Sequence, residues 1–211
     1  MSSEQISKDL VVLVADKDMD YAVRGLLDRY RAFNLSQPIT SDIFVHPQRD
    51  PGCLLRGHDF LRPFINNYLF GLILLDKDGC GQEHKTRQEL EVQIEQYLSN
   101  SGWGDRAAAI VIDPELEIWV WSDSPHVETI LEWHGRDPNL RTWLKEREFL
   151  IGNQPKPNKP KEAMEEALRV VRKPRSSSIY LELAKKVSFS NCSDEAFLKF
   201  KQLLTTWFTQ R

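Results

Sequence analysis

Three aliphatic runs, residues 10–16 (LVVLVAD), 70–76 (FGLILLD) and 107–113 (AAAIVID), each finish on an aspartate. A short, unbroken apolar run suits a strand of a parallel sheet, because polar alternation disappears when both faces are covered. Residues 42–45 (DIFV) supply a further strand. Between the runs the spacing becomes helical. Val23, Leu26, Leu27 and Tyr30 form one apolar stripe behind Asp18 or Asp20 as a cap, and Leu61, Phe64, Ile65 and Tyr68 form another with Pro63 in the first turn. Leu90, Ile94, Tyr97 and Leu98 follow Thr86 and Glu89, which stand at capping-box spacing. The order βαβαβαβ predicts an α/β fold with a Rossmann-like, mostly parallel sheet of about four strands. Its crossovers gather the carboxyl ends of the strands on one edge, where open α/β sheets bind ligands. Asp16, Asp76 and Asp113 stand at that edge.

After Pro114 the pattern changes. The alternation in residues 115–121 (ELEIWVW) predicts a buried strand carrying Trp119 and Trp121, and four helical patterns follow at 139–150, 161–172, 178–187 and 194–208. Residues 152–161 (GNQPKPNKPK) are linker-like. This divides the chain into an α/β unit at 1–135 and a helical C-terminal segment at 136–211 packed on it.

Lys plus Arg number 28 against 31 Asp plus Glu, a formal net charge of -3, so no bulk positive field attracts nucleic acid and any such surface must be local. The local candidate is Arg172, Lys173 and Arg175 together with Lys156, Lys159 and Lys161. No run approaches the ~18 apolar residues of a membrane span, and the first residues lack a basic-then-apolar leader. A cytoplasmic protein with no membrane partner is expected. Cys53, Cys80 and Cys192 have neither zinc-site spacing nor the even count of a disulfide framework, and read as reduced thiols.

The chemistry concentrates in residues 72–81 (LILLDKDGCG). If strand geometry continues past the apolar run, Asp76 and Asp78 share a face. Carboxylates aimed at one spot suit a hard divalent cation such as Mg2+ or Mn2+, which can then grip a phosphate. Gly79 and Gly81 leave room for a phosphate to approach the backbone. His46 and Arg49, with Asp50 in a 46–53 segment (HPQRDPGC) read as a Pro/Gly loop, lie near the same edge; His46 and Arg49, and separately Lys77, are candidate substrate-phosphate contacts, with general-base work as the alternative for His46. The Ser, Asp and His of residues 121–128 (WSDSPHVE) are adjacent in sequence, whereas triad members meet through folding, so no hydrolase triad is read there.

The succession of an aliphatic strand ending in an acid, a helix, a strand, a helix and an aliphatic strand ending in D-x-D-G resembles the Toprim fold, over residues 10–121. Residues 114–124 (PELEIWVWSDS) further resemble the acidic, Trp-containing block of small Toprim proteins related to the overcoming-lysogenization-defect nucleases. The resemblance implies a Mg2+- or Mn2+-dependent nuclease with Asp76 and Asp78 as metal ligands, Asp16 in place of the family's usual Glu, and Glu115 and Glu117 holding or orienting a second metal. Asp16, Asp76, Asp78 and Glu117 are then the catalytic set. It also implies a nucleic-acid substrate and a protein partner in an anti-phage defence complex. The altered first motif leaves open a non-catalytic subunit that keeps the fold for docking. A D-x-D-G strand end is shared as well by haloacid-dehalogenase-like phosphatases, where Asp76 is the nucleophile, although there the motif opens the domain.

Overall fold

The computed structural model describes residues 8–122, 124–188 and 192–209. The leader reading rests partly on residues 1–7, and Asp123 of the discounted triad also falls outside the described residues. Four strands form one parallel sheet in the order β2-β1-β3-β4: β1 Lys8–Val14, β2 Ser41–Val45, β3 Tyr68–Asp76 and β4 Ala107–Ile112. The expected α/β class is present, and the sheet, expected to be mostly parallel, is parallel throughout the described strands. Leu10 to Ala15 and Leu72 to Leu75 are essentially free of solvent contact, as strands covered on both faces must be.

Helices α1 (Lys17–Leu27), α2 (Arg49–Leu61) and α3 (Arg87–Leu98) connect the strands. The Thr86/Glu89 capping box opens α3: Glu89 N–H donates to the Thr86 hydroxyl and Thr86 N–H to the Glu89 carboxylate. The second helix departs from the sequence reading. It begins at Arg49, so residues 46–53 are mostly helical, and it ends near Pro63 instead of starting there; Tyr68 already belongs to β3. Pro51 lies in the first turn, where its missing N–H costs nothing.

The expected strand at 115–121 is also replaced. Glu117–Val120 forms a single helical turn, α4, with Trp119 and Trp121 both buried. All of 115–121 except the half-buried Ile118 is buried, so burial of the two tryptophans needs no strand alternation. Next come α5 (Pro125–Ile130), α6 (Leu140–Glu146), α7 (Pro160–Val171), α8 (Ser177–Lys186) and α9 (Glu195–Phe208).

The C-terminal helices share one apolar core with the sheet. Helix α8 lies against α1 so closely that a Cβ on Gly25 would stand 2.8 Å from both Ala184 Cβ and the Leu181 carbonyl oxygen. Phe200 of α9 meets Phe33 edge-on at 5.9 Å, and Trp207 stacks on Phe70 at 4.7 Å. The β4 edge of the sheet is closed by side chains: Glu95 and Glu91 of α3 accept the N–H groups of Ala109 and Val111, at 3.1 and 3.0 Å. Lys199 of α9 bridges both carboxylates. An edge satisfied this way cannot pair with a further strand.

Candidate functional site

The strand order reverses direction between β1 and β3, which makes the crevice at their carboxyl ends the topological switch point where ligands of open α/β sheets bind. Asp16 follows β1 and Asp76 ends β3, so acids flank that crevice on both sides.

Asp16 has a structural task. It is the N-cap of α1, its Oδ1 accepting the Met19 N–H at 2.9 Å. Asp76 has none for one of its oxygens. Its backbone N–H donates to Asp50 Oδ1 at 2.8 Å, but its own Oδ1 is shut off from solvent with no hydrogen-bond partner among the described residues. Burial drives the Asp76 carboxyl well above the usual carboxylate range, and the charges of Asp50, Glu117, Asp16 and Glu115 push it further the same way. Four acids, from the end of β1, from α2, from α4 and from the segment before α4, therefore act electrostatically on Asp76.

The sequence places Asp50 near the same edge but gives it no role at the site, because its segment reads as a loop. It occupies the first turn of α2, where the helix dipole favours a carboxylate; burial, followed by the charge of Asp16, still raises its pKa. Glu115 caps α7 through the Lys161 N–H at 3.1 Å and pairs with the Lys161 ammonium at 3.3 Å. Glu117 accepts the Tyr180 hydroxyl at 2.6 Å and Arg175 Nη2 at 3.1 Å. Both glutamates are raised, mainly by burial. Burial works to lower the Lys161 ammonium, but Glu115 and Glu117 outweigh it and its pKa rises, with Asp76 adding to the effect. Lys161, Arg175 and Tyr180 lie 40 or more positions from these acids, and nothing local in the sequence marks them as partners.

The remaining predicted residues lie apart from this group. The strand stops at Asp76, so alternation does not extend to Asp78; Asp78 is exposed, its N–H donates to the Pro114 carbonyl, and its electrostatic neighbours are led by Asp113 and Lys77. Lys77 pairs with Asp113 at 2.9 Å instead of standing free for a phosphate. Gly79 and Gly81, both at positive φ, do form an anion-accepting turn, but their N–H groups bind Glu83 Oε1 at 3.1 and 2.9 Å. His46 is buried: its Nδ1 accepts the Gln48 N–H at 3.1 Å, and burial lowers its pKa. Arg49 is exposed at the start of α2.

The basic segment is largely consumed inside the molecule. Lys156 donates to the Ile118 carbonyl, Lys161 pairs with Glu115, Lys173 with Glu132, and Arg175 with Asp18, Glu165 and Glu117. Only Lys159 and Arg172 of the six are left as an exposed remainder.

Fold and site together define an α/β protein with a carboxylate-lined switch point. Comparison of the chain with models of known families, with curated proteins and with solved structures returned no match. Among the described residues, no helix is long and apolar enough to cross a membrane.

Proposed function

We propose that the protein is a divalent-cation-dependent phosphodiesterase of the Toprim-like type, acting on nucleic acid, with Asp76 as the principal metal ligand. The observation that carries this reading is the buried, unpartnered Oδ1 of Asp76 amid four further carboxylates. The donor set is all hard oxygen, the chemistry that Mg2+ and Mn2+ select. Among the described residues, no three His, Cys, Asp or Glu side chains form a ready-made shell. That suits Mg2+, which commonly rests on one or two carboxylates and takes its other ligands from water and substrate phosphate. Asp76 with Asp16 or Asp50 would hold the ion, which supplies charge stabilisation to a phosphodiester under attack.

The chain's own residues do the rest. Asp50 fixes the Asp76 backbone through its N–H, and Lys161 offsets part of the negative potential while holding Glu115 in place. The buried His46 and the paired Lys77 are set aside as substrate contacts; exposed Arg49 stays one. By its resemblance the protein works with a partner in an anti-phage defence complex.

A second reading, the non-catalytic docking subunit, is favoured by the bonds that Lys161, Arg175 and Tyr180 already make to Glu115 and Glu117. Calorimetric titration with MnCl2, alongside cleavage of plasmid DNA and of RNA by wild type and Asp76→Ala, separates the two. Metal-dependent cleavage that disappears in Asp76→Ala supports the nuclease. Absence of both binding and cleavage leaves the docking subunit, and release of phosphate from small phosphomonoesters points to the phosphatase class.

A further inference from the structure

A cavity of about 550 Å3 lies between α4, the 154–158 segment and the start of α9, and it shares no side chain with the carboxylate site. Its size is that of a small-molecule pocket. Trp119, Trp121, Ser122, Lys156, Cys192 and Asp194 contribute to its lining. Both indole N–H groups are spent elsewhere, Trp119 Nε1 on Asp194 Oδ1 at 2.9 Å and Trp121 Nε1 on the Pro160 carbonyl at 2.8 Å. What the tryptophans offer the cavity is therefore apolar ring.

One polar group of the lining has unmet capacity. The Lys156 ammonium donates to the Ile118 carbonyl at 2.5 Å and lies 3.5 Å from Cys192 Sγ, yet no carboxylate among the described residues pairs with it. An ammonium has three donors, so at least one remains.

We propose that this cavity binds a small planar organic anion, its ring against the tryptophans and its acidic group on Lys156. The claim is independent of the nuclease reading, because it concerns different side chains and is read without any cleavage assay.

The test uses 8-anilinonaphthalene-1-sulfonate, an aromatic monoanion, and N-phenyl-1-naphthylamine, which lacks the sulfonate, on the full chain. Cys192 supplies a reporter inside the cavity, since Cys53 and Cys80 are buried and Cys192 is partly exposed. The expected result is saturable binding of one sulfonate probe per chain with quenching of tryptophan emission. Alkylation of Cys192 by iodoacetamide, followed by mass spectrometry, slows when the probe is bound. Lys156→Met weakens the sulfonate probe by about tenfold or more, the value of a charge-assisted hydrogen bond, and leaves the neutral probe unchanged. Binding that is not saturable, an unchanged alkylation rate, or equal loss of both probes in Lys156→Met overturns the proposal. Should Lys156→Met fail to fold, Cys192 protection and the preference for the charged probe in wild type decide the matter.

Discussion

Replacing Asp76 by Asn tests whether its carboxylate serves a ligand or the fold. The wild-type carboxylate is buried among Asp50, Glu117, Asp16 and Glu115, with one oxygen unbonded, so the fold favours its protonated form. The folded-state pKa lies above the ordinary 3.8, so between the two values the folded protein binds more protons than the unfolded chain. Stability consequently falls as pH rises through that window and stays low above it. Each tenfold bias toward the protonated form corresponds to about 1.4 kcal/mol lost at higher pH. Asn keeps the shape, removes the charge and adds donors for neighbouring carboxylates.

At pH 8 without divalent ions, Asp76→Asn is expected to be more stable than wild type by about 1–3 kcal/mol, the size of an unsatisfied buried polar group. The difference shrinks toward pH 4, where Asp76 carries its proton. Urea unfolding followed by tryptophan fluorescence at pH 4, 6 and 8 measures it. Mg2+ at a hundredfold excess over its Kd should restore about 2.7 kcal/mol to wild type and nothing to the variant. A structural aspartate behaves oppositely. If Asp76→Asn is the less stable protein at pH 8, or Mg2+ stabilises both equally, the ligand-holding role of Asp76 is refuted.

Three further outcomes concern the frame around the site. Glu91→Ala leaves the nearly buried Val111 N–H without its acceptor and takes one of two carboxylates from Arg87 and Lys199, which keep Glu195 and Glu95, and should cost about 1–3 kcal/mol in urea unfolding. Tyr180→Phe withdraws the hydroxyl from Glu117 and should cost about 1–3 kcal/mol, with the loss smaller at pH 4, where Glu117 is protonated. Gly52→Ala places a methyl 2.0 Å from His46 Nδ1, so the start of α2 must shift; about 1–3 kcal/mol of destabilisation is expected by thermal unfolding.

The sheet was legible because burial on two faces writes itself into composition: LVVLVAD, FGLILLD and AAAIVID can serve as little else. Two segments misled for identifiable reasons. ELEIWVW satisfies period two, but a single turn wedged between other helices also buries Trp119 and Trp121. HPQRDPGC has loop composition, yet Pro51 sits where a helix tolerates proline and Gly52 is needed for contact with His46. Reading that segment as a loop left Asp50 without a site role, which an acid immediately before a first-turn proline could have signalled. The acids themselves were legible; their partners Lys161, Arg175 and Tyr180 were not, since tertiary packing alone brings α7 and α8 to α4.

Those partners explain why a single carboxylate oxygen is left over. Lys161 and Arg175 reach the edge from α7 and from the turn before α8, and they meet the acids presented by α4 and the residue pair before it. On the β1/β3 side the acids are held by backbone N–H groups: Met19 for Asp16, and Asp76 for Asp50. An N–H offsets part of a carboxylate's charge but cannot cancel the repulsion among several. The surplus negative potential therefore collects at the switch point, on Asp76. With the fixed cations of the C-terminal helices already engaged, neutralising that surplus requires either a proton, which the raised Asp76 pKa reflects, or a cation from solution. Competition between those two at Asp76 predicts that divalent-ion binding releases protons, and that the release grows as pH falls toward the folded-state pKa.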